Sequence, residues 1–410
     1  MPSLLSLHPN WVRKDSVVFH ITTGRLFFLK IIWPDGFGLP ISFPLTFAVK
    51  NPGMFKHNFN AGPAILPATV LAQAAEAVRD FNGSGLSILE ISHRDKAFLA
   101  VMDEARQLAA DLLGLDDSFA VLFLSGGASS QFFMVPMNLL IPGQRAAYID
   151  SGSWASKAIK EAQAFGEILV PASSRADHYR HFPKEYKVDP KVAYLHLTSN
   201  NTIYGTQIHH WPEVEVPLVS DMSSDIFSRP IPIEKFGLLY AGAQKNMGPA
   251  GVTLVAVRKD LLGKRQGAIP TMLDYQIHHE NESSYNTPPV FPIYVSLLTM
   301  RWIRDQGGLS AMARQNEKKA ARFYAGLDAN PLFRGAVTDP ADRSLMNATF
   351  LPVKEADEQP FLDQCKAAGI VGIKGHRSVG GFRASLYNAL PMESVDLLVS
   401  VMDDFARARG

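Results

Sequence analysis

The sequence predicts an α/β fold built on a mostly parallel sheet. Three observations carry this. Short apolar runs alternate with amphipathic stretches of helical period over most of the chain. With 410 residues, 47% hydrophobic and 19% charged, the chain has the composition of a globular enzyme with a large core and the length for two domains. From about residue 315 the pattern changes to helix, strand, helix, strand, helix, as in a smaller α+β domain.

In chain order, Phe55–Asn60 reads as a short extended segment and Gly62–Pro67 as a turn. Residues 68–81 and 95–113 read as amphipathic helices. Ala120–Leu124 is an apolar strand, followed by the turn Ser125-Gly126-Gly127-Ala128-Ser129-Ser130 and an apolar helical stretch. Strands are predicted at 145–150, 192–197, 216–221, 238–241 and 252–257, with a helix over 155–164. A long helix covers about 292–305, and Gly307-Gly308 ends it.

The net charge of +1 gives no electrostatic case for nucleic acid or an anionic membrane as a partner. Cys365, the single cysteine, excludes an internal disulfide and fits a reducing, cytoplasmic setting. Residues 1–54 differ from the rest. Residues 15–50 are rich in Phe, Ile, Leu and Pro without clean periodicity. The uncharged run after Gly36 is too short to span a bilayer and contains Pro40 and Pro44. We expect a start at Met54, with 1–54 an extension outside the natural chain. An intact mass of the native protein checks this, because inclusion of residues before Met54 rules it out.

The residues that carry chemistry gather at strand ends. The run Phe236–Tyr240 leads through Ala241-Gly242-Ala243-Gln244 to Lys245, and Gly248, Pro249 and Gly251 prevent a helix from continuing. A lysine beyond the carboxyl end of an α/β strand borders a ligand crevice, and lysines form Schiff bases with carbonyl compounds. Asp221 closes the run Val216–Asp221 on the neighbouring strand end. Taken singly, Lys245 reads as a solvated loop residue and Asp221 as a helix N-cap. The Gly-rich turn at 125–130 offers backbone N–H groups to a phosphate, although many such turns bind nothing. Arg94, in Ser92-His93-Arg94-Asp95, stands before a helix, where a cation opposes the helix dipole unless it faces water or an anion. Lys374, His376, Arg377 and Arg383 lie in one glycine-rich stretch, suited to a doubly anionic ligand. His209-His210 and His278-His279-Glu280 lack zinc-site spacing and read as surface histidines; no metal is expected.

These motifs occur together and in order, and the chain from 55 to 410 resembles the phosphoserine aminotransferase family, whose members are fold-type I enzymes dependent on pyridoxal 5′-phosphate. The resemblance rests on Phe59–Ala64, Ser92-His93-Arg94, Gly126–Phe132, Tyr240–Gly251, Tyr285–Pro289 and Gly375–Ser385. It implies a large domain over 68–314 with a mostly parallel seven-stranded sheet, and a smaller domain formed by 55–67 and 315–410. It implies that Lys245 carries the cofactor as a Schiff base and shuttles the substrate α-proton. Asp221 pairs with the pyridine nitrogen, Trp154 stacks on the ring, and Thr202 bonds near the ring hydroxyl. Ala128, Ser129 and Gln244 hold the cofactor phosphate, joined by Asn286 and Thr287 from the second subunit of a homodimer. His93, Arg94, His376 and Arg377 take the substrate phosphate, and Arg383 its carboxylate. The implied substrates are glutamate and 3-phosphohydroxypyruvate, used in ping-pong order. A related phosphorylated substrate of pyridoxine synthesis is a second implied use. Ala128-Ser129 stands where some members carry Gly-Arg, and Asn201 where some carry Glu. A cysteine desulfurase would need a mobile cysteine, whereas Cys365 falls in an apparent helix. An alanine–glyoxylate aminotransferase would not need so many basic groups, and a non-catalytic cofactor-binding protein would not need Lys245 with Asp221.

Overall fold

Strands whose residues are buried on both faces must be apolar throughout, and they form the centre of this protein. The computed structural model describes residues 11–14, 17–22, 25–28, 56–264 and 267–409. The main unit spans Lys56–Gly410 and the other spans Met1–Phe55. In the smaller unit Trp11–Lys14, Val17–Thr22 and Arg25–Phe28 form an antiparallel sheet, although the sequence there shows no clean alternation. The Gly36–Lys50 run and Met54 lie outside the described residues.

The main unit opens with α1 (Ala68–Arg79) and α2 (Lys96–Leu113). Then come β1 (Phe119–Leu124), α3 (Gly127–Leu139), β2 (Arg145–Asp150), α4 (Ser153–Ala162) and β3 (Glu167–Ser173). They are followed by β4 (Leu195–Thr198), β5 (Leu218–Asp221), β6 (Phe236–Gly242) and β7 (Thr253–Arg258). These seven strands make one sheet in the order β1-β7-β6-β5-β4-β2-β3. Only β7 runs against its neighbours, so the other six strands point the same way. The expected α/β architecture with a mostly parallel sheet is therefore present.

Successive strand residues face opposite sides of this sheet. Phe123, Leu239, Ala241 and Leu254 pack beneath α1, α2 and α6 (Val290–Asp305). Leu122, Leu238, Tyr240 and Val255 pack beneath α3, α4 and the short α5 (Tyr275–Glu280). Asp95 caps α2 by accepting from Ala97 N–H at 2.8 Å, and Gly114, at φ +70°, ends that helix in the left-handed region that only glycine adopts cheaply.

Two elements depart from the expected list. β3 was not expected: it is the sheet's edge, only half-buried, and contains Pro171, which edge strands tolerate. Gly307-Gly308 does end α6, and also starts α7 (Gly308–Ala329), which runs through position 314 without a break.

A separate apolar cluster joins Phe59 to the C-terminal elements. β8 (Phe333–Gly335), β9 (Asn347–Pro352) and β10 (Phe382–Ser385) form an antiparallel sheet under α7, α8 (Glu358–Ala367) and α9 (Met392–Arg409). Phe333, Phe350, Phe361, Phe382 and Phe405 interlock there, with centroid separations of 4.6 to 6.4 Å. Segment 57–59 is tied to this sheet side by His57 N–H to Gly369 O at 3.0 Å and Phe59 N–H to Val371 O at 2.9 Å. Among the described residues no helix is long and apolar enough to cross a membrane.

Phe361→Ala leaves a phenyl-sized void at the centre of this cluster and is expected to cost about 3–5 kcal/mol. A urea titration followed by near-UV circular dichroism measures it; a midpoint within error of wild type would show that the ring is not structural.

Candidate active site

Six parallel strands place their carboxyl ends on one side of the sheet, and the candidate residues follow those ends. The ends are level: Thr198 of β4 is opposite Asp221 of β5, which is opposite Tyr240 of β6. Lys245 lies three residues beyond β6, in the hairpin to β7, rather than at the strand end itself. That hairpin is closed by Ala243 N–H to Val252 O at 3.0 Å. It packs so closely on α6 that a Cβ at Gly248 would stand 2.4 Å from Ser296 Oγ.

The Lys245 ammonium donates to Thr202 Oγ1 at 2.9 Å. The carbonyl of the same threonine accepts from Arg383 Nη1 at 3.1 Å. One residue therefore joins the lysine of the large sheet to the arginine on β10. Arg383 Nε is buried without a partner. Burial pulls the Lys245 ammonium from its ordinary value near 10.5 down to about 8; the Asp221 and Asp225 charges act against this, and Arg383 adds to it. Asp221 is buried, which raises its carboxyl; the opposing Lys245 charge and two bonds from Ser223, at 2.6 and 2.9 Å, draw it back. Oδ1 of Asp221 thus caps the turn after β5, with no helix following it, and the Lys245 charge acts on the same carboxylate.

Asp225, one turn on, was not singled out from sequence. It is buried between Ser199 Oγ, Gln207 Nε2 at 3.1 Å and Arg229 at 3.7 Å. Its only signal was the spacing of two aspartates in Asp221-Met-Ser-Ser-Asp225.

Trp154 stands in the first turn of α4, beyond β2. Its indole N–H is buried without a partner, and Lys157 lies 4.4 Å over its ring. Gly126 precedes α3 with φ +102°, and a Cβ there would stand 2.1 Å from Ser130 Oγ. No side chain caps α3, which leaves the first-turn N–H groups of Ala128 and Ser129 facing outward for an anion. Gln244 accepts Ala64 N–H at its carbonyl, 2.9 Å away, so segment 61–64 lies against the lysine; Gly62 would place a Cβ 3.4 Å from Lys245 Cγ.

The basic stretch 374–383 is a loop closed by Gly375 N–H to Gly381 O at 2.8 Å. His376 Nδ1 pairs with Ser378 Oγ at 2.7 Å. Burial lowers its imidazole, as do the nearby charges of Arg383, Arg377 and Lys157. Lys157, missed from sequence, thus links the Trp154 helix to this loop. A cavity of about 370 Å³ opens alongside, lined by Arg175, Tyr179, Tyr204, Ser378 and Val379 among others. Tyr204 OH shares a 3.0 Å bond with Ser153, next to Trp154.

Other expected residues stand on other segments of the chain. Asn286 and Thr287 are exposed between α5 and α6. Arg94 is exposed before α2, and His93 is half-buried with Nε2 lacking a partner. His278 is buried rather than on the surface, where the sequence reading put it; its Nε2 donates to Met272 O at 2.9 Å, and His209 Nε2 donates to Arg343 O at 2.9 Å. Among the described residues no group of three or more His, Cys, Asp or Glu could hold a metal ion. Cys365 is buried in α8, and burial pushes its thiol up to about 12, which opposes nucleophilic use.

A lysine of lowered basicity facing a buried carboxylate at the carboxyl edge of such a sheet defines a class, and comparison with known proteins agrees. The profile of aminotransferase class V matches residues 56–398; the chain belongs to that family. Within it, the chain is 56% identical over 352 residues to the phosphoserine aminotransferase of Flavobacterium psychrophilum, covering 86% of this chain and 99% of the relative. It superposes on the phosphoserine aminotransferase of Bacillus circulans subsp. alkalophilus with a TM-score of 0.84 at 49% identity, covering 87% and 99% of the two chains. The pyridoxal-phosphate-bound phosphoserine aminotransferase of Trichomonas vaginalis gives 0.80 at 37% identity, covering 85% and 100%.

In the cofactor-free protein, modification of Lys245 by acetic anhydride is expected to follow a midpoint near pH 8. Asp221→Asn removes a charge that raises this value and should lower the midpoint. Arg383→Met removes a charge that lowers it and should raise the midpoint. Peptide mass spectrometry against pH reads both; a midpoint near 10.5 in all three proteins would contradict the burial argument.

Proposed function

We propose that the protein transfers the amino group of L-glutamate to 3-phosphohydroxypyruvate, giving O-phospho-L-serine and 2-oxoglutarate, in serine biosynthesis. The single observation that carries this is the meeting of Lys245 and Arg383 at Thr202, beside a loop of basic groups. An α-amino acid with a phosphorylated side chain presents a carboxylate and a dianion, and this crevice offers cations for both. The names of the relatives support the same reading.

The residues fit pyridoxal 5′-phosphate as cofactor. Lys245 supplies an amine of lowered basicity, Asp221 a carboxylate for the ring nitrogen, and Trp154 an aromatic face. Ala128, Ser129 and Gln244 supply donors for the phosphate, as do Asn286 and Thr287 from a second copy in a homodimer. When bound, the cofactor supplies an electron sink for charge developing at the substrate α-carbon. The chain's part is placement. Arg383 holds the α-carboxylate, which fixes the α C–H bond, and Lys245 moves the proton at that carbon. His376 and Arg377, with His93 and Arg94, receive the side-chain phosphate, so binding energy favours phosphorylated substrates over serine. Residues 55–67 with 315–410 act as the smaller domain against 68–314. We assign the enzyme to the cytoplasm, with a related phosphorylated substrate of pyridoxine synthesis as a second use.

The test is the visible spectrum of the cofactor-loaded enzyme with O-phospho-L-serine or L-serine. The cofactor band should bleach with phosphoserine only; a band without discrimination would remove the substrate assignment, and no band in a loaded sample would remove Lys245. Arg377→Ala should raise the KM for phosphoserine roughly 10- to 100-fold, the size of a lost charge-assisted bond, while glutamate changes little. Equal losses for both would take Arg377 out of the phosphate site.

A further inference from the structure

Helix α7 turns one lysine inward. Lys319 is only 3% exposed. Its ammonium lies 2.9 Å from Leu386 O, 2.6 Å from Tyr387 O and 3.4 Å from Asn388 O. Among the described residues no carboxylate stands within ion-pair distance of it. A buried ammonium without a counter-ion is unfavourable unless hydrogen bonds compensate it, so the three carbonyls are what this lysine serves. They belong to the turn that leaves β10, immediately after Arg383-Ala384-Ser385.

That turn is also tied to the lysine crevice. Asn388 N–H donates to Asn246 Oδ1 at 3.0 Å, and Asn246 is the neighbour of Lys245. Asn388 Nδ2 donates to Phe227 O at 2.9 Å, two residues beyond Asp225. Tyr387 OH donates to Ala61 O at 2.8 Å, in the segment lying against Lys245.

We propose that Lys319 is a positioning residue for Arg383: by drawing the carbonyls of 386–388 to one ammonium, it sets where β10 presents that guanidinium over Thr202 and Lys245. Three successive carbonyls do not converge in extended chain without a common donor. Removal of the donor leaves buried acceptors that turn elsewhere, and the chain leaving β10 turns with them. This rests on the reading of Arg383 as the carboxylate ligand.

The experiment titrates the cofactor-loaded enzyme with glutarate, which reads Arg383, and with inorganic phosphate, which reads the basic loop, alongside the KM for L-glutamate. Lys319→Met should weaken glutarate and raise that KM about tenfold, with phosphate changed less than twofold and kcat within threefold. Lys319→Gln keeps two N–H donors and should recover part of the loss. Unchanged glutarate affinity and KM in Lys319→Met, or equal losses on both probes, overturns the proposal. Arg383→Met is the control: if it leaves glutarate binding and the glutamate KM intact, the carboxylate reading itself falls. Should Lys319→Met not fold, Asn388→Ala cuts the same turn from Phe227 O and Asn316 Nδ2 and is measured in the same way, with the same outcomes deciding.

Discussion

A lysine and an arginine both need the same small residue, and the site is organised around that need. Thr202 gives its hydroxyl to Lys245 and its carbonyl to Arg383. Two cations are thereby held near each other without a carboxylate between them, which is tolerable only because Asp221 and Asp225 lie buried below. Lys245 and Arg383 thus set positive charge beside two buried carboxylates. The two cations suit an anionic substrate of the proposed kind, while burial, working against the pull of Asp221 and Asp225, lets the Lys245 amine give up its proton more easily than an ordinary lysine.

Holding this arrangement takes a polar core that runs between the two sheets. Asn200 Nδ2 donates to Ser224 Oγ and to Asn347 Oδ1, both at 2.8 Å, and Asn347 Nδ2 donates onward to Ser385 Oγ and Tyr387 OH, both at 3.1 Å. Each member is buried. Buried amides left unpaired are costly, so such a network admits few alternative arrangements. Gly205 shows how tight the fit is: at φ +83° a Cβ would stand 2.3 Å from Thr349 Oγ1.

The parts legible in the sequence were those set by local pattern. β6 is buried throughout and β1 and β7 are largely so, and they read as mainly apolar runs; Lys245 and Asp221 stood out because such runs ended beside them. β3 escaped because an edge strand with a proline carries no such run. The strand expected at 192–197 begins at Leu195, since Val192 closes a turn on Asp189 instead. The Thr202–Arg383 bond, the place of Lys157 over Trp154 and the inward turn of Lys319 depend on which distant elements meet, and no local period encodes that. The family resemblance supplied residue roles that pattern alone did not.

The reversed direction of β7 bears on reactivity. Elsewhere in the sheet the end of a parallel strand leads into a crossover. After β6 the chain instead folds straight back, cross-linked to β7 and pressed on α6. The amine of Lys245 is consequently mounted on a rigid bracket. In the proposed reaction an incoming carbonyl compound would meet it at a high effective concentration, with most of the orientational freedom of the attacking group already removed before the encounter.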